Sequence, residues 1–101
     1  MSERVRRSIL ASAGPHATLI SHDERPWMTA TLSGARHDFQ IQWERSNDPA
    51  VTESILPFWP PADFEIPGML IADIEVCGTV VDFVPRLQLT AEFSMLTVDL
   101  A

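Results

Sequence analysis

Three carboxylates near the C-terminal end of the chain are the residues best placed to do chemistry together. Asp73 and Glu75 precede the dipeptide Cys77-Gly78 and Asp82 follows it, and each alternates with apolar residues. Such alternation predicts β-strands, because successive side chains of a strand point to opposite faces. A tight turn at Cys77-Gly78 would pair the two strands and place Asp73 directly opposite Asp82.

An acidic strand face of this kind can bind a cation, bind a partner or simply face solvent. Like charges directly opposite each other destabilise a sheet. Oxygen-rich sites suit Mg²⁺ or Ca²⁺, but stiff strands wrap an ion poorly, and a solvated face is ordinary in antiparallel sheets. Apolar residues on the same face favour an interface with another protein or with a second copy of the chain. The predicted partner-binding surface consists of Ile71, Asp73, Glu75, Val80, Asp82 and Val84.

The three histidines are the other candidate ligands. A strand predicted over residues 27–33 would lie between His22 and His37 and separate them by about 20 Å. We therefore expect that these two histidines cannot share a metal ion. His16 and His37 would lie at the same end of the sheet, where Asp38 could complete at most a weak site. The sequence predicts no metal site and no cofactor.

A proline-rich loop over residues 57–68 is the second candidate site. Loops of this length in a small domain are often functional, and this one carries bulky aromatic side chains. These side chains can close the hydrophobic core, or they can line a pocket for a small molecule. The predicted pocket consists of Trp27, Trp59 and Phe64, with His16 and His37 as polar groups.

Composition excludes several classes of chemistry. The 101 residues are enough for a single domain, 1–101, that buries a core. The chain has no lysine and no tyrosine, which excludes Schiff-base catalysis and a P-loop lysine. Cys77 is the single cysteine, so the chain cannot form an internal disulfide and has no second cysteine for a zinc site. A single cysteine also favours a reducing, cytoplasmic location. No segment reaches transmembrane length.

The charge is both negative and unevenly distributed. The formal net charge is −7 at pH 7. Residues 1–46 carry six arginines and five acids, whereas residues 47–101 carry one arginine and nine acids. An acidic half of this kind repels phosphate backbones, so we expect no nucleic-acid partner.

Helices and strands of modest length are predicted to position these residues. Ser2 can cap a first helix that ends at Gly14-Pro15, and Asp48-Pro49 can begin a second one. Alternating patterns predict three short strands between the helices, over residues 17–21, 28–33 and 38–43. The final third predicts three more strands. A three-residue loop at 84–86 pairs Asp82 with Gln88 and Val81 with Leu89, because this register keeps apolar residues on one face.

The resulting prediction is an α+β fold in the order α-βββ-α-βββ. Two short helices would pack on one face of an antiparallel sheet of five or six strands. With no catalytic constellation, we expect a non-catalytic, small, acidic intracellular protein that acts by protein–protein binding, including self-association as a homodimer, with no membrane partner. The alternative is a small-molecule-binding protein or modest enzyme with a pocket under the 57–68 loop.

Overall fold

The computed structural model describes residues 2–14, 16–45, 59–82 and 87–100. One helix, α1 (Ser2–Ala13), precedes four strands. The strands are β1 (Ala17–Met28), β2 (Ser33–Arg45), β3 (Met69–Asp82) and β4 (Leu87–Asp99). They form one antiparallel sheet in the order β1-β2-β4-β3, so β1 and β3 are its edges.

The predicted architecture of two helices and five or six strands is therefore wrong. The described ranges hold one helix and four long strands, and the chain is mostly β. The first helix is confirmed, and it ends before Gly14, whose φ of 100° suits a glycine after a helix. The second helix, predicted from Asp48-Pro49, lies outside the described residues.

The first hairpin shows why the strand count was too high. Residues 22–26, which lie between two of the predicted strands, belong to β1. Residues 29–32 of the predicted 28–33 strand instead form the turn that joins β1 to β2. The Thr29 hydroxyl stabilises this turn, since its Oγ1 accepts the backbone N–H groups of Thr31 (3.3 Å) and Leu32 (3.0 Å). A threonine can therefore close a turn within a pattern that resembles a strand.

The second error is the turn predicted at Cys77-Gly78. β3 runs straight through this dipeptide, with Val76 opposite Phe93 and Gly78 opposite Glu92. Cys77 is the extra residue of a β-bulge rather than part of a turn, and Gly78 does not adopt the positive φ that a tight hairpin turn demands. The predicted hairpin therefore does not exist.

The register of β3 follows from this continuity. Asp73 lies opposite Leu96 and Asp82 lies opposite Gln88, so the predicted pairing of Asp73 with Asp82 is wrong. The register predicted for the following hairpin is confirmed, because Asp82 pairs with Gln88 and Val81 with Leu89. The 84–86 loop itself lies outside the described residues.

The pairing of β3 with β4 contains another irregularity near Leu96. The irregularity lies in β3, where Ala72 is an extra residue opposite the Leu96–Thr97 step of β4. β4 keeps its alternation, and Thr97 continues the buried face in place of an apolar residue.

One face of the sheet forms the core under α1 and the segment 59–68. Trp59 lies at its centre, with ring centroids 4.8 Å from Phe93 and 6.2 Å from Trp43. The indole N–H of Trp59 donates to Ser12 Oγ, and that of Trp43 donates to the Ala13 carbonyl, which fixes α1 on the sheet. The core consists of Val5, Ile9, Phe39, Ile41, Trp43, Trp59, Ile66, Leu89, Ala91, Phe93 and Met95.

The opposite face, called here the open face, is not covered by any helix or loop of the described ranges. At one end of it Trp27 packs across Gly34, where an added Cβ would lie 2.8 Å from the Trp27 ring. Over the rest of the face the side chains are mainly polar or acidic. The two faces of the sheet therefore have sharply different chemistry.

Candidate functional site

The open face holds four of the six residues predicted to bind a partner. The register places Asp73, Glu75, Val80 and Asp82 on this face, and the bulge at Cys77 keeps them there along the whole strand. Asp73 and Asp82 lie opposite residues eight positions apart in β4, which is about 25 Å. They thus form a row along an edge strand rather than a compact patch.

The other two residues of that set are not among the described residues of the open face. Ile71 is on the core face and packs against the hydrophobic cluster. Val84 lies outside the described residues. The open face still carries apolar side chains beside the acidic ones. Leu70 and Val80 both lie on it and are 54% and 57% exposed.

The open face carries a large excess of negative charge. Among the described residues, the strand registers place seven carboxylates and two arginines on it. Arg25 lies 3.3 Å from Asp23 and 3.4 Å from Asp38, and Arg36 donates to Ser94. The carboxylates are those of Asp23, Asp38, Glu44, Asp73, Glu75, Asp82 and Glu92.

Amide side chains orient some of these carboxylates. Gln40 donates to Glu92 across 3.0 Å, and Gln88 donates to Glu44 across 3.2 Å. Glu92 lies on the central strand β4 and is exposed. The exposed Glu92 carboxylate, held by Gln40, therefore places a negative charge at the centre of the face.

The residues of the predicted ligand pocket are spread over the molecule. Trp59 and Phe64 contact each other with ring centroids 5.5 Å apart, but Trp59 is 95% buried in the core. Trp27 lies on the open face. His16 lies beside Glu44 near one end of β2, about 20 Å from the position of His37. Of the five predicted pocket residues, the structure brings together only Trp59 and Phe64.

The structure instead brings together the two histidines that were expected to lie far apart. His22 Nε2 is 2.8 Å from His37 Nδ1. β1 continues through His22 and pairs directly with β2, so that His22 faces Phe39 and Glu24 faces His37 on the core side. The predicted separation of about 20 Å is wrong because it assumed an additional strand between these residues.

A directional chain of hydrogen bonds passes through both imidazoles. Arg6 Nε is 3.3 Å from His22 Nδ1 and can only donate, so that the proton of His22 is on Nε2. His22 Nε2–H then donates to His37 Nδ1, and His37 Nε2–H donates to Thr97 Oγ1 at 3.2 Å. The Thr97 hydroxyl donates to the Ala35 carbonyl at 3.2 Å. The two ends of this hydrogen-bond chain, Arg6 and the Ala35 carbonyl, thus select one neutral tautomer for each histidine.

Electrostatics agrees with these neutral tautomers. Burial lowers the pKa of His37, although the Glu24, Asp38 and Asp99 carboxylates act in the opposite direction. Burial also lowers the pKa of His22, and the positive charges of His37 and Arg6 lower it further, whereas the Glu24 and Asp23 carboxylates act in the opposite direction. Both imidazoles are consequently uncharged at neutral pH, which is the form that binds metal ions.

Glu24 completes the cluster. Its Oε1 lies 3.7 Å from His37 Nδ1, and one ligand atom from each of His22, Glu24 and His37 lies within 4.8 Å of the others. His37 is buried, whereas Glu24 is partly exposed at the edge strand β1. The sequence signal was the pattern His22-Asp23-Glu24, since residues i and i+2 of a strand share a face. That signal requires β1 to extend through these residues.

Comparison with known proteins adds no assignment. The chain matches no known protein family, and no curated protein or solved structure is significantly similar to it. Within the described ranges, the helix is too short and too polar to cross a bilayer.

Proposed function

We propose that the protein is a non-catalytic intracellular binding protein whose open face binds a basic surface of another protein. Among its described residues this face has five more carboxylates than arginines, with Glu92 exposed at its centre, and this excess carries the proposal. Opposite charges across an interface steer association and set specificity. The intracellular location rests on the single cysteine, Cys77, which is exposed and free.

The size of the open face is suitable for a specific interface. Four strands of 12 to 14 residues span about 43 Å by 19 Å at ordinary strand spacing, or roughly 800 Å². A standard protein–protein interface buries about 800 Å² per partner. The exposed side chains of Leu70 and Val80 add apolar contact area within the polar surroundings.

The face is a better binding surface than either edge of the sheet. β1 has a bulge at Ile20 and a proline at position 26, and β3 has bulges at Ala72 and Cys77. Bulges and prolines on edge strands interrupt the regular row of hydrogen-bonding groups that an added strand needs. A partner that extended the sheet would meet an irregular edge on both sides.

Charge also distinguishes a basic partner from a second copy of this chain. Stacking two open faces about a twofold axis would bring carboxylates against carboxylates. Charges in contact across such an interface lie closer than the Debye length of about 8 Å at physiological salt, so screening would be incomplete. The negative charge of the open face thus favours a basic partner protein over a second copy of the chain. The pocket alternative has weaker support because Trp59 fills the core.

An NMR titration tests this proposal with a defined probe, a nine-residue arginine-rich peptide added to ¹⁵N-labelled protein. We expect the largest amide shifts along the open face. Glu92→Arg should weaken binding on the order of tenfold, because it replaces a central attraction with a repulsion worth about 1.4 kcal/mol. The matched control is Glu65→Arg, which makes the same charge change at an exposed residue of the 59–68 segment.

Two results would contradict the proposal. Equal loss of affinity in Glu92→Arg and Glu65→Arg would mean that the peptide senses net charge alone. The second test measures the oligomeric state of the protein by sedimentation equilibrium at about 100 μM. A dimer that Val80→Asp dissociates would mean that the open face binds a second copy of the chain, contrary to the charge argument.

A further inference from the structure

We propose that His22, Glu24 and His37 form a binding site for a divalent transition-metal ion, with Zn²⁺ the best match. We assign as ligand atoms His22 Nε2 and His37 Nδ1, which face each other, and a carboxylate oxygen of Glu24. The site lies on the core side at the edge strand β1, and it is separate from the open face. It goes beyond the proposed protein-binding function and does not depend on it.

The spacing of the ligand atoms agrees with zinc coordination. Tetrahedral zinc with bonds of about 2.1 Å holds its ligand atoms about 3.4 Å apart. The two nitrogens are 2.8 Å apart, the His37 nitrogen and Glu24 Oε1 are 3.7 Å apart, and the third separation does not exceed 4.8 Å. Movements on the order of 1 Å of the partly exposed Glu24 and His22 side chains would therefore place three protein ligands at three of the four tetrahedral positions around the ion.

The ligand types select the metal. Mg²⁺ and Ca²⁺ prefer sites made of oxygen ligands, whereas imidazole suits zinc and neighbouring transition metals. Two histidines and one carboxylate are also the protein ligands of open zinc sites, which keep a fourth position for water. The partly exposed side chain of Glu24 gives that position access to solvent.

His37 is already held in the tautomer that a metal ion requires. A metal-bound histidine usually donates its second N–H to an acceptor that fixes the ring. His37 Nε2–H donates to Thr97 Oγ1, and the Thr97 hydroxyl is fixed in turn by the Ala35 carbonyl. The Nδ1 lone pair therefore points into the cluster without any rearrangement of the buried residues.

His22 must change its tautomer when it binds the ion. In the hydrogen-bond chain its proton is on Nε2, but coordination through Nε2 leaves the proton of a neutral imidazole on Nδ1. Arg6 Nε–H currently donates to that nitrogen. Two donors would then face each other, so Arg6 must move away. An open groove of about 460 Å³, lined in part by Arg6, Leu10 and His22, provides the space.

Arg6 consequently competes with the metal ion. Its guanidinium stabilises the His22 tautomer that cannot coordinate, and its charge repels a cation. Arg6→Glu removes both effects and supplies an acceptor for His22 Nδ1–H, as a second partner of a metal-bound histidine does. Because changes to such partners alter affinity by about 10–100-fold, we expect Arg6→Glu to bind Zn²⁺ about tenfold more tightly.

Calorimetric titration of the protein with ZnCl₂ tests the ligand assignment. One equivalent of Zn²⁺ is expected to bind. His22→Ala and Glu24→Gln should each weaken binding at least tenfold, whereas His16→Ala, which removes an exposed histidine outside the cluster, should change the affinity less than twofold. Circular dichroism checks that each variant is folded. Unchanged affinity in both His22→Ala and Glu24→Gln would overturn the site.

Two further measurements test the role of Arg6. Arg7→Glu is the matched control, because it makes the same charge change at an exposed position of α1 that contacts Glu3 instead of His22. Equal tightening in both variants would reduce the Arg6 effect to net charge and overturn the competition. Long-range ¹H–¹⁵N spectra of the histidine rings should show the His22 proton on Nε2 without zinc and on Nδ1 with zinc. A proton that stays on Nε2 in the zinc-loaded protein excludes coordination by this atom.

Discussion

His22 Nε2 lies 2.8 Å from His37 Nδ1, and this contact joins the edge strand β1 to a residue that is completely buried. Only an uncharged pair fits here. Protonation of either ring would add a second N–H to that imidazole. One hydrogen bond, either Arg6 to His22 or His22 to His37, would then become a contact between two donors. The same contact therefore connects the stability of the fold to the protonation of two histidines.

The first prediction concerns acid stability of the metal-free protein. The pKa of both His22 and His37 is lower in the folded state than its ordinary value, mainly because of burial. The unfolded chain then binds more protons, so the free energy of unfolding falls as the pH drops below about 6.5 and is constant above it. Each histidine contributes a slope of up to about 1.4 kcal/mol per pH unit. Urea unfolding from pH 7.5 to 5.5 in the presence of a chelator measures it.

The control for this prediction uses single histidine substitutions. His22→Gln should reduce the slope because one of the two titrating rings is gone, whereas His16→Gln, at an exposed position outside the cluster, should leave it unchanged. A free energy of unfolding that increases from pH 7.5 to 5.5 would show that the histidines gain protons on folding, contrary to the tautomer assignment.

The second prediction concerns two glycines in the sheet. A Cβ at Gly34 would meet the backbone oxygen of Thr97 and lie 2.8 Å from Trp27 Cζ2. Gly34→Ala should therefore lower the free energy of unfolding by about 2–3 kcal/mol, as overpacked sites do. Gly78→Ala is the control, because its nearest neighbour is the end of the Glu92 side chain at 3.7 Å. We expect the free energy of unfolding of Gly78→Ala, measured with urea, to lie within about 0.5 kcal/mol of the parent value. Equal effects would contradict the close approach of the strands at Gly34.

The third prediction tests the continuity of β3. Because Asp73 and Asp82 lie about 25 Å apart along one strand, they cannot interact directly. The effects of Asp73→Asn and Asp82→Asn on the free energy of unfolding should add within about 0.5 kcal/mol in the double variant. Chemical denaturation of the four proteins at low salt measures the coupling. A coupling above 1 kcal/mol would instead support a hairpin with the two aspartates face to face.

Local patterns in the sequence were sufficient for the elements that cross the core. The helical spacing of Val5 and Ile9 located α1, and the alternation around Phe39 and Phe93 located the buried faces of β2 and β4. The register at Asp82 and Gln88 also followed, because only one pairing keeps apolar residues together. In each case a buried surface on one side imposes a periodic pattern.

Local sequence patterns did not predict the edge strands or the histidine cluster. His22 and Glu24 face Phe39 and His37 in the folded sheet, so polar residues in β1 occupy positions where alternation predicts apolar ones. In β3 the bulge at Cys77 shifts the pattern by one residue, and the sequence around it resembles a turn. The sequence by itself thus determined α1, the buried faces of the inner strands and an acidic C-terminal half. Only the tertiary structure decided the length of the edge strands and the meeting of His22 with His37, because pairing between distant segments depends on contacts that no local pattern contains.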